Sequence, residues 1–115
     1  MTLNLESPFF SILVLIGGVF TIAAMLMYLF PPKKINSLYG YRTSSSMKSI
    51  ERWTFAQRFS SILMVKSGLV LMAISIGGLF VSVSKTVDTI AAAVCVIIAI
   101  ALLILRTESR LKEFP

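Results

Sequence analysis

Three stretches of the chain stay apolar for the thickness of a bilayer, and the polar positions gather between and beyond them. The first, Pro8 to Phe30, contains no charged residue; as a helix it would measure about 35 Å, enough to cross a hydrocarbon core of roughly 30 Å. The second reaches from about Ser60 to Val83, with Lys66 near its start and Gly77-Gly78 towards its end. The third, Val87 to Leu105, is closed by Arg106 and a short charged tail. Only a few residues around Ser84 to Asp88 separate the second from the third, which predicts an antiparallel helical hairpin. The pattern predicts an all-α integral membrane fold: a single membrane domain, 1–115, with spans at about 8–30, 60–83 and 87–105. A loop at 31–59 between helices 1 and 2 would carry an interfacial helix.

The first run reads as a span and not as a secretory signal. No Lys or Arg precedes it, and it ends in Phe30-Pro31-Pro32 where a cleavage site would have small residues. It is also longer than the ~7–15 residue apolar core of a signal peptide. Composition agrees with a lipid environment: 57% of residues are hydrophobic and 14% charged, with a mean hydropathy of +0.89. A soluble domain carries about 25% charged residues.

The net charge of +6 would raise the question of nucleic acid in a soluble protein, but beside apolar spans it reads as an orientation signal. Lys33, Lys34, Arg42, Lys48, Arg52, Arg58 and Lys66 follow the first span, and Arg106, Arg110 and Lys112 follow the third. The N-terminus has no Lys or Arg, and the hairpin tip has only Lys85, offset by Asp88. The positive-inside rule then places the N-terminus outside a bacterial plasma membrane, with the loop and C-terminus in the cytoplasm. Lys66, within two turns of its helix start, is expected to snorkel to the headgroups. Direct nucleic-acid binding is not expected.

Candidate chemistry is sparse. There is no histidine, and the acids are Glu6, Glu51, Asp88, Glu108 and Glu113, so no catalytic, cofactor-binding or metal site is expected. Cys95 has no partner for a disulfide and reads as a small packing residue. Small residues recur at helical spacing, at Gly17 and Thr21, at Ala73 and Gly77, and at Ala91, Cys95 and Ala99. Such stripes let helices approach closely in lipid, within a bundle or an oligomer.

Specific recognition is therefore expected in the loop. Pro31-Pro32 stops the first helix, and Lys33 and Lys34 meet the headgroups. Asn36 can hydrogen-bond its own turn, and Gly40, between Tyr39 and Tyr41, permits a positive φ. Ser44, Ser45 and Ser46 are candidate N-caps for a helix over Met47 to Phe59. On its wheel Phe55, Phe59 and Ile62 align, while Ile50 and Trp53 fall on another side with Arg52 between. That places the helix between the interface and the rest of the loop, with Trp53 as an anchor. Glu51 should pair with a cation, either Arg42 or Arg58.

The run Asn36-Ser37-Leu38-Tyr39-Gly40-Tyr41-Arg42-Thr43, followed by Ser46, Met47 and Lys48 and then Trp53, Ala56, Gln57, Arg58 and Phe59, resembles the signature of the SdpI family, including its short YfhL-like members. Many members have proline after the threonine, where this chain has Ser44. The resemblance implies a three-span unit with this loop between spans one and two. It also implies immunity, since the family's namesake protects a producing bacterium from a secreted toxin peptide and signals by holding a repressor at the membrane. The candidate site is thus the signature loop, structural or partner-binding: Asn36, Tyr39, Gly40, Tyr41, Arg42, Thr43, Glu51, Arg52, Trp53, Gln57 and Arg58. Expected partners are membrane lipids, a toxin peptide and, on the alternative reading of a docking protein, a cytoplasmic regulator recruited by the basic loop.

Overall fold

The computed structural model describes residues 3–114. Three helices long and apolar enough to cross a membrane make up the fold, and among the described residues there is no β-strand. Helix α1 spans Pro8–Leu29. It starts where Ser7 Oγ accepts from the Phe10 N–H at 3.2 Å, with a proline in the first turn where its missing N–H would have no helical partner. Helix α2 spans Ile50–Ser75 and tightens into a 3₁₀ turn, Ile76–Leu79, at the Gly77-Gly78 pair. Helix α3 spans Lys85–Leu111 and is capped by Ser84.

Two boundaries differ from the hydropathy pattern. No break separates an interfacial helix from the second span, because α2 runs through residues 59–60 uninterrupted. The Ser60 and Ser61 hydroxyls bond back to the carbonyls of Gln57 (3.4 Å) and Arg58 (2.9 Å), so neither competes with the helical ladder. Its N-cap is Ser49, which accepts from the Arg52 N–H, leaving Ser44–Ser46 to the loop. Helix α3 likewise does not stop at Arg106. It continues to Leu111, because one face of this last stretch is buried through Thr107 and Leu111.

The bundle measures 55 × 24 × 20 Å, so its long axis exceeds a ~30 Å hydrocarbon core and polar caps stand at both ends. Leu13, Leu71 and Ala92 form the centre, surrounded by Phe9, Ile12, Ile16, Phe20 and Cys95. Helices α1 and α2 cross with backbone nearly touching backbone: a Cβ placed on Gly17 would lie 2.7 Å from the Gly68 carbonyl oxygen, and one placed on Gly68 2.7 Å from that of Gly17. The Thr21 hydroxyl turns back onto the Gly17 carbonyl at 2.7 Å, which keeps it satisfied inside lipid. Ala73 and Gly77, expected on a packing stripe, are exposed instead. The inward positions of α2 are Gly68, Leu71, Ser75 and, in the 3₁₀ turn, Gly78, and two residues beyond Leu71 is the opposite side of a helix.

At the hairpin end, Asp88 is buried and not a solvated counter-charge to Lys85. Its carboxylate accepts from Ser7 Oγ at 2.5 Å and from the Phe9 N–H at 3.4 Å, so it sits on the positive end of the α1 dipole. Asn4 completes this cap through its N–H to the Leu79 carbonyl at 2.8 Å. Among the described residues no buried side-chain polar atom lacks a hydrogen-bond partner.

A polar cap formed by the signature loop

The loop between α1 and α2 folds over the other end of the bundle, and its residues are held one by one. Asn36 Oδ1 accepts from the N–H groups of Leu38 (2.9 Å) and Tyr39 (2.7 Å), closing a turn at the membrane edge. That turn swings Tyr39 under α1, where its hydroxyl donates to the Phe30 carbonyl at 2.8 Å and satisfies one of the helix's free C-terminal acceptors. Gly40 follows with φ +108°. A Cβ there would stand 2.5 Å from Gln57 Oε1 and 2.8 Å from Pro32 Cγ, so both its backbone angle and its surroundings require glycine.

Close approach at Gly40 lets Gln57 of α2 act as a two-point clamp. Its Oε1 accepts from the Tyr41 N–H at 2.6 Å, and its Nε2 donates to the Tyr41 carbonyl at 2.8 Å. One turn earlier on the same helix, the fully buried Trp53 donates from Nε1 to the Pro32 carbonyl at 2.6 Å. Trp53 is therefore a core residue of the cap and not an anchor in the bilayer interface. The two apolar sides of this part of α2 have separate covers: the loop lies over Trp53 and Ala56, while Phe55 stacks on Phe59 and meets Phe114 of the C-terminal tail at 5.0 Å.

The loop is closed onto α3 by Glu108. Tyr41 Oη (2.8 Å) and Thr43 Oγ1 (2.9 Å) donate to one carboxylate oxygen, and Ser45 Oγ (2.7 Å) donates to the other. Ser46, buried beneath them, accepts from the Thr43 N–H and fixes the turn that aims the three hydroxyls. Burial, and then the adjacent Glu108 carboxylate, push the Tyr41 phenol well above its usual range, so it remains a donor. Arg52 is buried alongside, with Nε on the Ser45 carbonyl (2.7 Å) and Nη1 on the Phe114 carbonyl (3.1 Å). It ties loop, α2 and tail together and adds positive potential near Glu108.

Of the sequence-derived candidates, Asn36, Tyr39, Gly40, Tyr41, Arg42, Thr43, Arg52, Trp53 and Gln57 all lie in this network, Arg42 through a hydrogen bond from Nη1 to the Ser37 carbonyl. Glu51 and Arg58 do not: both are exposed, and the expected ion pair of Glu51 with Arg42 or Arg58 is not formed. Arg42 is turned to the backbone of its own loop, and a helical offset of seven residues holds Arg58 about 10 Å along the axis from Glu51. Glu108 was overlooked by sequence reasoning. The available signal was an acid between Arg106 and Arg110, in the flank on the same side as the hydroxyl run Thr43–Ser46.

Three hydroxyls converging on one carboxylate predict a measurable lock. Glu108→Ala is expected to cost about 1–2 kcal/mol, the lower range for bonds to a charged group because the site is partly solvated. Glu108→Gln should lose less. The check is a double-mutant cycle with Ser45→Ala followed by thermal unfolding in detergent, where strict additivity would rule the lock out.

The interior of the cap is occupied by its own side chains, and among the described residues no three acid or thiol groups stand together. Chemically it is a junction: α1, α2, α3 and the tail meet through one loop.

Comparison with known proteins gives one family and one curated relative. "Uncharacterized protein YfhL" of Bacillus subtilis (strain 168) is 54% identical over 55 residues, which is 48% of this chain and 50% of that protein, so the chain matches about half the length of this curated relative. No solved structure matches the chain. The family model described as the SdpI/YfhL protein family matches residues 33–106. That region takes in the loop, α2 and α3 as far as Arg106, leaving α1 and Glu108 outside. With the matched region covering more than half of its length, and with that region's loop forming the cap just described, the chain belongs to the SdpI/YfhL protein family.

Proposed function

We propose that this chain is a non-enzymatic immunity protein of a bacterial plasma membrane, protecting it against a toxin peptide within the bilayer. The N-terminus would lie outside and the capped end in the cytoplasm. The observation that carries the reading is that the family signature is spent on internal hydrogen bonds, so the broad apolar faces of the three helices are the largest surface left for recognition. Large apolar side chains such as Leu15, Val19, Ile22, Ile97 and Leu105 are more than half exposed, and in lipid they offer a helix-packing surface to a membrane-inserted peptide. The cap would hold the three faces in fixed relation.

Expression in a toxin-sensitive strain tests this. Survival should rise with the intact chain and fall with Gly40→Ala, which opens the cap; killing unchanged by the intact chain across related toxins would end the reading.

A docking role is the second reading, favoured by Lys33, Lys34, Lys48 and Arg58, which are exposed and have no acidic partner among the described residues. Arg42 and Arg52 are poor probes of docking, because their guanidinium groups hold loop and tail carbonyls. Charge reversal at Lys33, Lys34, Lys48 and Arg58 should release a co-fractionating regulator while leaving immunity intact.

A further inference from the structure

A groove of about 420 Å³ runs between α2 and α3, on the side away from α1. It exists because α3 meets α2 in two places, at the core level of Leu71 and Ala92 and at the cap through Phe59 and Arg110, and stands off between them. Its walls are mostly apolar, with Val70 and Ile74 on α2 and Ile98 and Leu102 on α3, while Lys66, Ser67 and Arg106 line the half nearer the cap. Both cations are exposed, and neither is paired with an acid among the described residues.

We propose that this groove is a binding site for one anionic glycerophospholipid from the leaflet on the capped side. Its phosphate would be held jointly by Lys66 and Arg106, with an acyl chain lying along Val70, Ile74, Ile98 and Leu102. Three features select that occupant. Lys66 to Ile74 is eight residues, about 12 Å of helix, which matches much of one leaflet's half of a ~30 Å hydrocarbon core. The opening is lateral, towards lipid. Two cations line the half of one apolar slot nearer the cap, where a zwitterionic headgroup would bring a compensating positive charge and an anionic one brings none. Snorkelling alone would place Lys66 near some headgroup, but the shared groove with Arg106 makes a two-cation seat for a single phosphate. The site does not depend on the immunity reading.

The full chain in mixed bilayers, titrated with spin-labelled phosphatidylglycerol or spin-labelled phosphatidylcholine, tests the site without any substitution. Phosphatidylglycerol should show a motionally restricted population at least tenfold more strongly held than phosphatidylcholine. Lys66→Gln and Arg106→Gln should each weaken that preference about fivefold, the factor for one cation near an anionic surface. Lys85→Gln, at the far end of the bundle, should leave it unchanged. Ile98→Trp, which fills the groove, should remove the restricted population with the cations still present. Equal retention of the two lipids by the unaltered chain overturns the proposal, as does a preference carried equally by Lys33 and Lys34. Efficient disulfide formation between two Ile98→Cys chains at low lipid content would show a second copy in the groove and overturn it as well. So would displacement of the restricted lipid by an added hydrophobic helical peptide with no change on mutating Lys66 and Arg106.

Discussion

The Gly68→Val chain is expected to lose its folded bundle in detergent at a temperature roughly 10 °C or more below that of the unaltered protein, an overpacking cost of about 3 kcal/mol. The reason is what a side chain there would meet. Even a Cβ falls against the Thr21 hydroxyl, 2.7 Å from the Gly17 carbonyl oxygen and 2.9 Å from the Thr21 nitrogen. Two of these atoms are backbone of the facing helix, so no rotamer change relieves the contact and α1 must move away from α2. That separation loses close packing along the whole crossing, and in lipid no hydrophobic gain on association offsets the loss. Gly17→Ala should behave similarly, because its Cβ would meet the Gly68 carbonyl and Met72 Cγ at 2.7 Å. The neighbouring Gly18 has nothing within 4 Å of such an atom, so Gly18→Ala should be neutral or slightly stabilising through helix propensity. Thermal unfolding of the three variants side by side decides the matter; equal behaviour of positions 17 and 18 would refute the crossing.

Gly40→Ala is the second large effect, and it should appear at the cap while the spans stay helical. Alanine at φ +108° is strained, and its Cβ would press on both Gln57 Oε1 and the Pro32 ring. Together these cost about 2–3 kcal/mol. Losing the Gln57 clamp frees the Tyr41 backbone, and with it the hydroxyl that reaches Glu108. The expected readout is faster tryptic cleavage after the exposed Arg42, with far-UV helicity nearly unchanged. The Gln57→Ala background separates the two components. It removes the nearer of the two contacts but leaves the Pro32 ring and the backbone strain, so Gly40→Ala should cost less there than alone. Cleavage that stays slow in Gly40→Ala would mean that the loop is held by something other than this clamp.

The effects at the two glycines differ in kind. Gly68 is required by how near a second helix comes, whereas Gly40 is required by its own backbone angle as well as by its surroundings. Asn36-Ser37-Leu38-Tyr39-Gly40 could be read as a tight turn from residue types alone, because an Asx turn and a positive-φ glycine are local chemistry. The partners of that turn could not. Tyr41 and Glu108 are 67 positions apart, and their meeting depends on where α3 stands in height against α2.

What the sequence by itself determined is the part governed by local and additive free energies. Transfer of each apolar segment into lipid sets the existence of three spans, Pro31-Pro32 sets the end of α1, and asparagine with glycine sets the turn in the loop. Tertiary structure alone decided the rest: that α2 continues through residues 59–60, that Trp53 is buried in the cap, that Ala73 and Gly77 face outward, and that Asp88 and Glu108 each close one end of the bundle. Hydropathy is blind to these features because it gives a carboxylate near a helix end one value per residue type, whereas its real burial cost depends on whether it is solvated or bonded to a hydroxyl on another helix. Only the relative height and rotation of the helices bring Ser7 to Asp88, and Tyr41, Thr43 and Ser45 to Glu108.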